Sequence, residues 1–127
     1  MSNEKKPTKR ISVLQETNIG TSEEFYGHVI LPDENILCEF KGGRDAFIMT
    51  NRKVILVDIQ GLTGKKKEVL VIPYSKISAF STETGGMLDL DAELKIWASG
   101  INYIELNFVK NAVDMRNVAQ ILSTYIG

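Results

Sequence analysis

Thr50-Asn51-Arg52-Lys53-Val54-Ile55-Leu56-Val57-Asp58-Ile59-Gln60-Gly61-Leu62-Thr63-Gly64-Lys65-Lys66-Lys67, followed by Ile72-Pro73-Tyr74-Ser75-Lys76-Ile77, decides the fold of this chain. A polar turn opens an apolar strand, a glycine-bounded cationic loop follows, and a second apolar strand ends at proline. That succession describes an antiparallel β-meander.

Outward from this stretch the texture repeats. Short apolar or alternating runs at 36–40, 44–50, 53–59, 67–72, 78–82, 88–98 and 102–109 are divided by Gly42-Gly43, Asn51-Arg52, Gly61 to Gly64, Pro73-Tyr74, Gly85-Gly86 and Ser99-Gly100. All of these separators carry turn chemistry. In Leu88-Asp89-Leu90-Asp91-Ala92-Glu93-Leu94-Lys95-Ile96 the apolar residues keep even positions and the charges odd ones. Tyr103-Ile104-Glu105-Leu106-Asn107-Phe108 repeats the scheme, so the two runs read as a hairpin with one face on a core and one in water.

Ala46-Phe47-Ile48-Met49 and Val54-Ile55-Leu56-Val57 are apolar at both parities. Both faces of that hairpin therefore need cover, from the N-terminal segment or from another subunit. Phe47, Met49, Ile55 and Val57 are accordingly candidate interface residues. Trp97 joins them, since it shares the outward parity of Asp89, Asp91, Glu93 and Lys95; a bulge or strand end that turns it inward is the competing reading.

The chain closes on Met115, Val118, Ala119, Leu122, Tyr125 and Ile126 at helical spacing, an amphipathic helix with Asn111 or Asp114 at its start. Upstream, Pro7 and the charges to Arg10 suggest an unordered start, while Thr21 or Ser22 before Glu23-Glu24 suggests a short helix carrying Phe25, Tyr26, Val29 and Ile30, interrupted by Gly27 and stopped by Pro32. The organisation expected is an N-terminal tail with a possible short helix over 1–31 and one folded domain over 32–127. The fold class is mainly β with a C-terminal α-helix: a strongly bent seven-stranded antiparallel meander, or partly open barrel, capped by one helix.

At 127 residues the chain is long enough to bury a core without metal or disulfide. Its formal net charge of -1 gives no global pull toward nucleic acid or anionic membrane, so electrostatic binding must be local. The single Cys38 argues for a reducing compartment and reads as a small core residue beside Ile36 and Phe40. No signal-like apolar run follows the basic start, so the expected location is cytoplasmic.

Taken together, Arg44-Asp45 leading into Phe47 to Lys53, Val57-Asp58-Ile59-Gln60-Gly61-Leu62-Thr63-Gly64-Lys65-Lys66, Ile72-Pro73-Tyr74-Ser75-Lys76-Ile77, and Glu83 to Leu94 resemble the bacterial pleckstrin-homology-like domain family over about 32–126. The resemblance implies the pleckstrin-homology-like (PH-like) superfold and a tendency toward ring-like homo-oligomers. Superfold members also capture peptides by adding a strand to a sheet edge. It implies no catalytic or cofactor-binding set.

Lys41, Arg44, Lys65, Lys66 and Lys67 are the candidate anion-binding residues, because alternate turns of a meander share one rim; Arg52 belongs at the other. Anionic lipid or phosphate at that rim is the alternative to a protein-binding, self-assembling module. Gly61-Leu62-Thr63-Gly64-Lys65-Lys66 fails as a phosphate loop, since the spacing is wrong and a strand follows. Asp89, Asp91 and Glu93 lie along one strand face and do not converge as a metal site would. With His28 the only histidine and Cys38 the only thiol, no triad or histidine metal cluster can be built, and neither catalysis nor a cofactor or metal is expected. Basic loops without interleaved aromatics also argue against nucleic acid.

Overall fold

The computed structural model describes residues 6–84 and 92–127. Its strands are β1 (Lys9–Thr17), β2 (Ile36–Gly42), β3 (Asp45–Thr50), β4 (Lys53–Gln60), β5 (Lys66–Pro73), β6 (Ile77–Thr84), β7 (Ala92–Ala98) and β8 (Ile104–Phe108). A short helix α1 (Glu23–Tyr26) continues into a 3-10 turn at Gly27–Val29, and α2 (Met115–Ile126) ends the chain. The sheet runs in the order β5-β4-β3-β2-β1-β8-β7-β6, eight strands where the sequence suggested seven.

The additional strand is β1, in the segment expected to be tail. Its first half runs parallel to β8 and its second half antiparallel to β2, so one strand serves both halves of the sheet. The register shifts between Ile11 and Leu14, where Val13 takes φ 54°. This bulge turns Ile11 and Leu14 both into the core, at 2% and 0% exposure, although they are three residues apart. A strict two-residue period cannot find such a strand. It explains why the sequence pattern missed it.

The close approach of β1 also dictates one residue of β2. A Cβ on Gly42 would lie 2.4 Å from the Ser12 carbonyl oxygen, a backbone atom with no rotamer to escape through. Gly42→Ala is expected to destabilise the protein by about 2 kcal/mol, read from urea unfolding. A neutral result would contradict the packing of β1 against this position.

The bent sheet encloses a core formed by Leu14, Phe40, Phe47, Met49, Leu56, Leu94, Ile104, Leu106 and Phe108, with Met115, Val118, Ile121 and Leu122 of α2 closing it. Phe40 stacks on Phe47 at 5.9 Å and meets Phe108 edge-on at 5.2 Å. Asp114 caps α2 by accepting a hydrogen bond from the Asn117 amide, as its position before the apolar stripe suggested. The β7–β8 hairpin pairs Leu94 with Leu106 and Ile96 with Ile104, again as the alternation required. The part of that run at 88–91, and the Gly85-Gly86 turn, lie outside the described residues.

One parity reading is corrected. A register shift between Ile36 and Cys38 turns Ile36 to the opposite face, where it packs with a second cluster, while Cys38 and Phe40 stay in the main core.

Candidate interaction surfaces

The second face of the β3–β4 hairpin is covered from within the chain. Ala46, Ile48, Ile55, Val57 and Ile59 form a separate cluster with Tyr26, and Phe25, Val29, Ile30, Ile36, Val69 and Val71 pack around it. Of the two covers considered for this face, the N-terminal segment supplies it. Phe47 and Met49 belong to the main core, Ile55 and Val57 to this second cluster, and all four are fully buried. Their assignment to a subunit interface is therefore corrected: apolarity at both parities reflects two intramolecular layers.

The covering strap, roughly Gly20 to Glu34, is pinned at both ends by buried carboxylates. Near its start, Glu39 of β2 accepts hydrogen bonds from the Gly20 amide at 2.9 Å, the Ser22 amide at 2.7 Å and the Tyr26 hydroxyl at 2.5 Å. Burial, and then the bond to Glu39, pushes the Tyr26 phenol well up. Near the strap's end, Glu34 accepts from the Leu31 amide, the Thr50 hydroxyl and Lys53 Nζ, while Lys53 also donates to the Val29 carbonyl. Burial alone would raise the Glu34 carboxyl, but the bonds from Lys53, Thr50 and Leu31 outweigh it and hold it below its ordinary value.

Arg44 Nη1 donates to the Gly61 carbonyl at 2.8 Å, which joins the β2–β3 turn to the β4–β5 loop. The shared rim anticipated for Arg44 and Lys65 to Lys67 thus exists, and Arg52 lies at the other end, paired with Asp33 at 2.9 Å. Lys41 stands apart. It lies on β2 facing β1, beside Val13, Gln15 and Gly43, three strand spacings or roughly 14 Å from β5. Lys67 reaches over the Phe25 ring at 5.4 Å, and Lys65 and Lys66 are exposed. The five cations therefore do not converge on a single phosphate cradle. Sequence reading passed over two residues here: Lys9, which binds Asp58 and Glu68 at 2.6 Å each, and Leu62, which stands fully exposed at the loop tip.

Trp97 faces outward, as its parity required, and lies half-buried against Tyr103 at 5.6 Å. Lys95 covers the other ring at 5.7 Å and pairs with Glu93. Glu93 is thus committed to a lysine; Asp89 and Asp91 lie outside the described residues. Among the described residues no group of three metal-ligating side chains comes together.

Cys38 is buried in the core while His28 is exposed, so the two form no reactive pair. Burial, and secondarily the charge of Glu16, pushes the Cys38 thiol up to about 12. Aromatic disulfide reagents are expected to leave native Cys38 unmodified at neutral pH and to react only as the chain unfolds. Fast stoichiometric labelling of the folded protein would contradict this.

The two sheet edges are β5 and β6. β5 changes character along its length, from Lys66-Lys67-Glu68 to Val69-Leu70-Val71-Ile72. Beside the apolar half lies an open groove of about 390 Å³ between Leu70 to Pro73 on one side and Ala98 to Ile101 on the other.

A bent sheet closed at one end by a terminal helix, with open strand edges, defines a PH-like domain. The sequence profile of the bacterial PH domain family matches residues 7–126, and the chain belongs to that family. It is 51% identical to the uncharacterised Bacillus subtilis protein YjqA over 61% of this chain and 62% of that protein. A second uncharacterised Bacillus subtilis protein, YozO, is 28% identical over 77% of this chain and 83% of its own length. Among solved structures, a protein with a pleckstrin-homology domain from Shewanella loihica superposes with a TM-score of 0.75 at 31% identity, covering 91% of this chain and 99% of that one. A pleckstrin homology domain from Shewanella amazonensis gives 0.64 at 33% identity, over 89% and 91%. Among the described residues no helix is long and apolar enough to cross a membrane.

Proposed function

We propose that this PH-like domain is a non-catalytic interaction module that self-assembles, and takes up extended protein segments, through its sheet edges. The observation that carries this reading is the division of β5. Its charged first half, Lys66-Lys67-Glu68, protects the edge in the way that soluble sheets discourage uncontrolled pairing. Its apolar second half leaves backbone groups free beside a groove that accepts side chains of an added strand. The opposite edge, β6, is a different surface and mostly exposed, with Ser78, Ala79 and Ser81 among its residues. Joining β5 of one copy to β6 of the next is a head-to-tail contact, which closes into a ring when the rotation permits. Half-buried Trp97 on the outer face of β7 is available to widen such a contact.

Light scattering coupled to gel filtration tests the proposal. A mass several times that of the 14.2 kDa chain is expected. Ser99→Trp fills the groove from an exposed position and is expected to return the protein to monomer. A monomer at every concentration, or assembly indifferent to Ser99→Trp, would sink the reading.

A further inference from the structure

We propose that one register joins the copies: β5 residues 67–71 of one copy run antiparallel to β6 residues 79–83 of the next, Lys67 lies opposite Glu83, and this ion pair makes a second copy the preferred occupant of the β5 edge. That joint rests on the edge pairing proposed above; its orientation, its register and its selecting residues come from the faces and charges of the two strands. On β5, Lys67, Val69 and Val71 lie opposite Ile59, Val57 and Ile55 and share the outer face of the sheet, while Leu70 lies opposite Leu56 and faces the main core. On β6, Ala79, Ser81 and Glu83 lie opposite Trp97, Lys95 and Glu93 on the outer face, while Phe80 lies opposite Ile96 and faces the core. Two strands join into one sheet when outer face meets outer face, and a slip of one residue inverts every side chain. With Lys67 set antiparallel against Glu83, Val69 meets Ser81, Leu70 meets Phe80 and Val71 meets Ala79. Both faces then match.

Charge singles out this register. The two edges carry opposite charge at the ends that meet: β5 begins Lys66-Lys67, and β6 closes on Glu83-Thr84. Within one copy Glu83 stands directly opposite Glu93, an unfavourable placement of like charges. Lys95 pairs with Glu93 at 3.4 Å, whereas Glu83 is exposed and has no ion-pair partner among the described residues. Lys67 of the next copy supplies one. Moving β6 by two residues, the smallest step that keeps the faces, sets Glu83 against Val69 or carries it beyond the first residue of β5. Parallel alignment with the same ion pair leaves an overlap that ends at Glu68 and Thr84. The strap adds a limit of size, because Phe25 packs with Val69 and Val71 on the outer face, so a strand added there must present small outward side chains. Ala79 and Ser81 meet that condition.

Light scattering on charge-reversed full chains reads the register. Lys67→Glu and Glu83→Lys are each expected to weaken assembly about tenfold per joint, because an attraction between residues directly opposite becomes a repulsion. Both positions are exposed, so neither change reaches the core. An equimolar mixture of the two variants is expected to recover assembly, since the β5 edge of each then meets the opposite charge on the β6 edge of the other. The double variant Lys67→Glu with Glu83→Lys is expected to assemble within about threefold of wild type. Val69→Cys with Ser81→Cys is expected to give disulfide-linked multimers, whereas Val69→Cys with Thr82→Cys, on opposite faces, gives none. Cys38 is buried and takes no part. A monomeric wild type would overturn this register together with the edge assembly it rests on. An assembled wild type whose mass ignores both charge reversals, single variants that stay apart when mixed, or cross-linking of the Val69–Thr82 cysteine pair would overturn the register alone.

Discussion

Glu39→Ala is expected to cost about 4 kcal/mol of unfolding free energy, because a donor held out of water without its acceptor keeps its desolvation penalty with no hydrogen bond to offset it. Three donors are involved, the Gly20 and Ser22 amides and the Tyr26 hydroxyl, and Glu39 itself is fully buried. The loss should be local before it is global. Removing the acceptor frees the start of the strap, so hydrogen exchange at the Gly20 and Ser22 amides is expected to accelerate more than exchange in β7 and β8. Glu39→Gln keeps one acceptor oxygen and should lose about 1–2 kcal/mol. Denaturant unfolding within about 1 kcal/mol of wild type for Glu39→Ala, with those amides still protected, would show that the carboxylate does not hold the strap. Lifting the strap uncovers Ile48, Ile55 and Val57, so concentration-dependent aggregation is the expected companion of Glu39→Ala.

Lys53→Met is expected to cost about 3–5 kcal/mol, the range for a buried pair that loses one charge. The Glu34 side chain is 0% exposed and that of Lys53 11%, so water does not replace the missing ammonium. The Val29 carbonyl also loses its donor. Pairing the change with Glu34→Leu is expected to recover more than half of the loss, since the uncompensated carboxylate is the main penalty. A double variant no more stable than the single one would point to strain in place of charge.

The same pair makes stability depend on pH. Glu34 lies below its ordinary 4.5, and Asp58, held by Lys9 and Gln60 against the opposing effect of burial, lies below 3.8. Depressed carboxyls contribute fully above their unfolded values and lose that contribution as pH falls through the folded ones. Stability should therefore be level near neutrality and decline through the acid range below about pH 4.5. In Lys53→Met the decline should be shallower, because Glu34 no longer prefers its charged form there. An unchanged acid slope would remove Glu34 as its source.

Much of the fold was legible because its signals are local. Alternation at 92–98 and 104–108 names an inner and an outer face wherever the strand is regular, and the i, i+3, i+4 stripe names the buried side of α2. The shared rim also followed, since turn parity in a meander is geometric. What escaped was non-local or irregular. β1 is broken by the Val13 bulge, and the bulge before Cys38 reversed the face of Ile36; one extra residue defeats a period of two in both places.

The candidate sites divide on the same line. Apolarity at Phe47, Met49, Ile55 and Val57 correctly required two covered faces, yet sequence cannot say whether the second cover comes from the same chain. Only the tertiary structure places Phe25 and Tyr26 over that face and Glu39 beneath the strap, because the choice depends on hydrogen bonds between residues 13 to 19 positions apart. Turn parity likewise grouped Lys41 with Arg44 and Lys65 to Lys67, whereas strand order separates Lys41 and the Arg44–Gly61 bond joins the two loops. By itself the sequence determined a bent β-meander capped by a helix, with one basic rim, since those features follow from periodicity and turn chemistry. Which apolar faces are covered inside the chain, and which strand edges and loop tip stay exposed, was decided by packing at a distance.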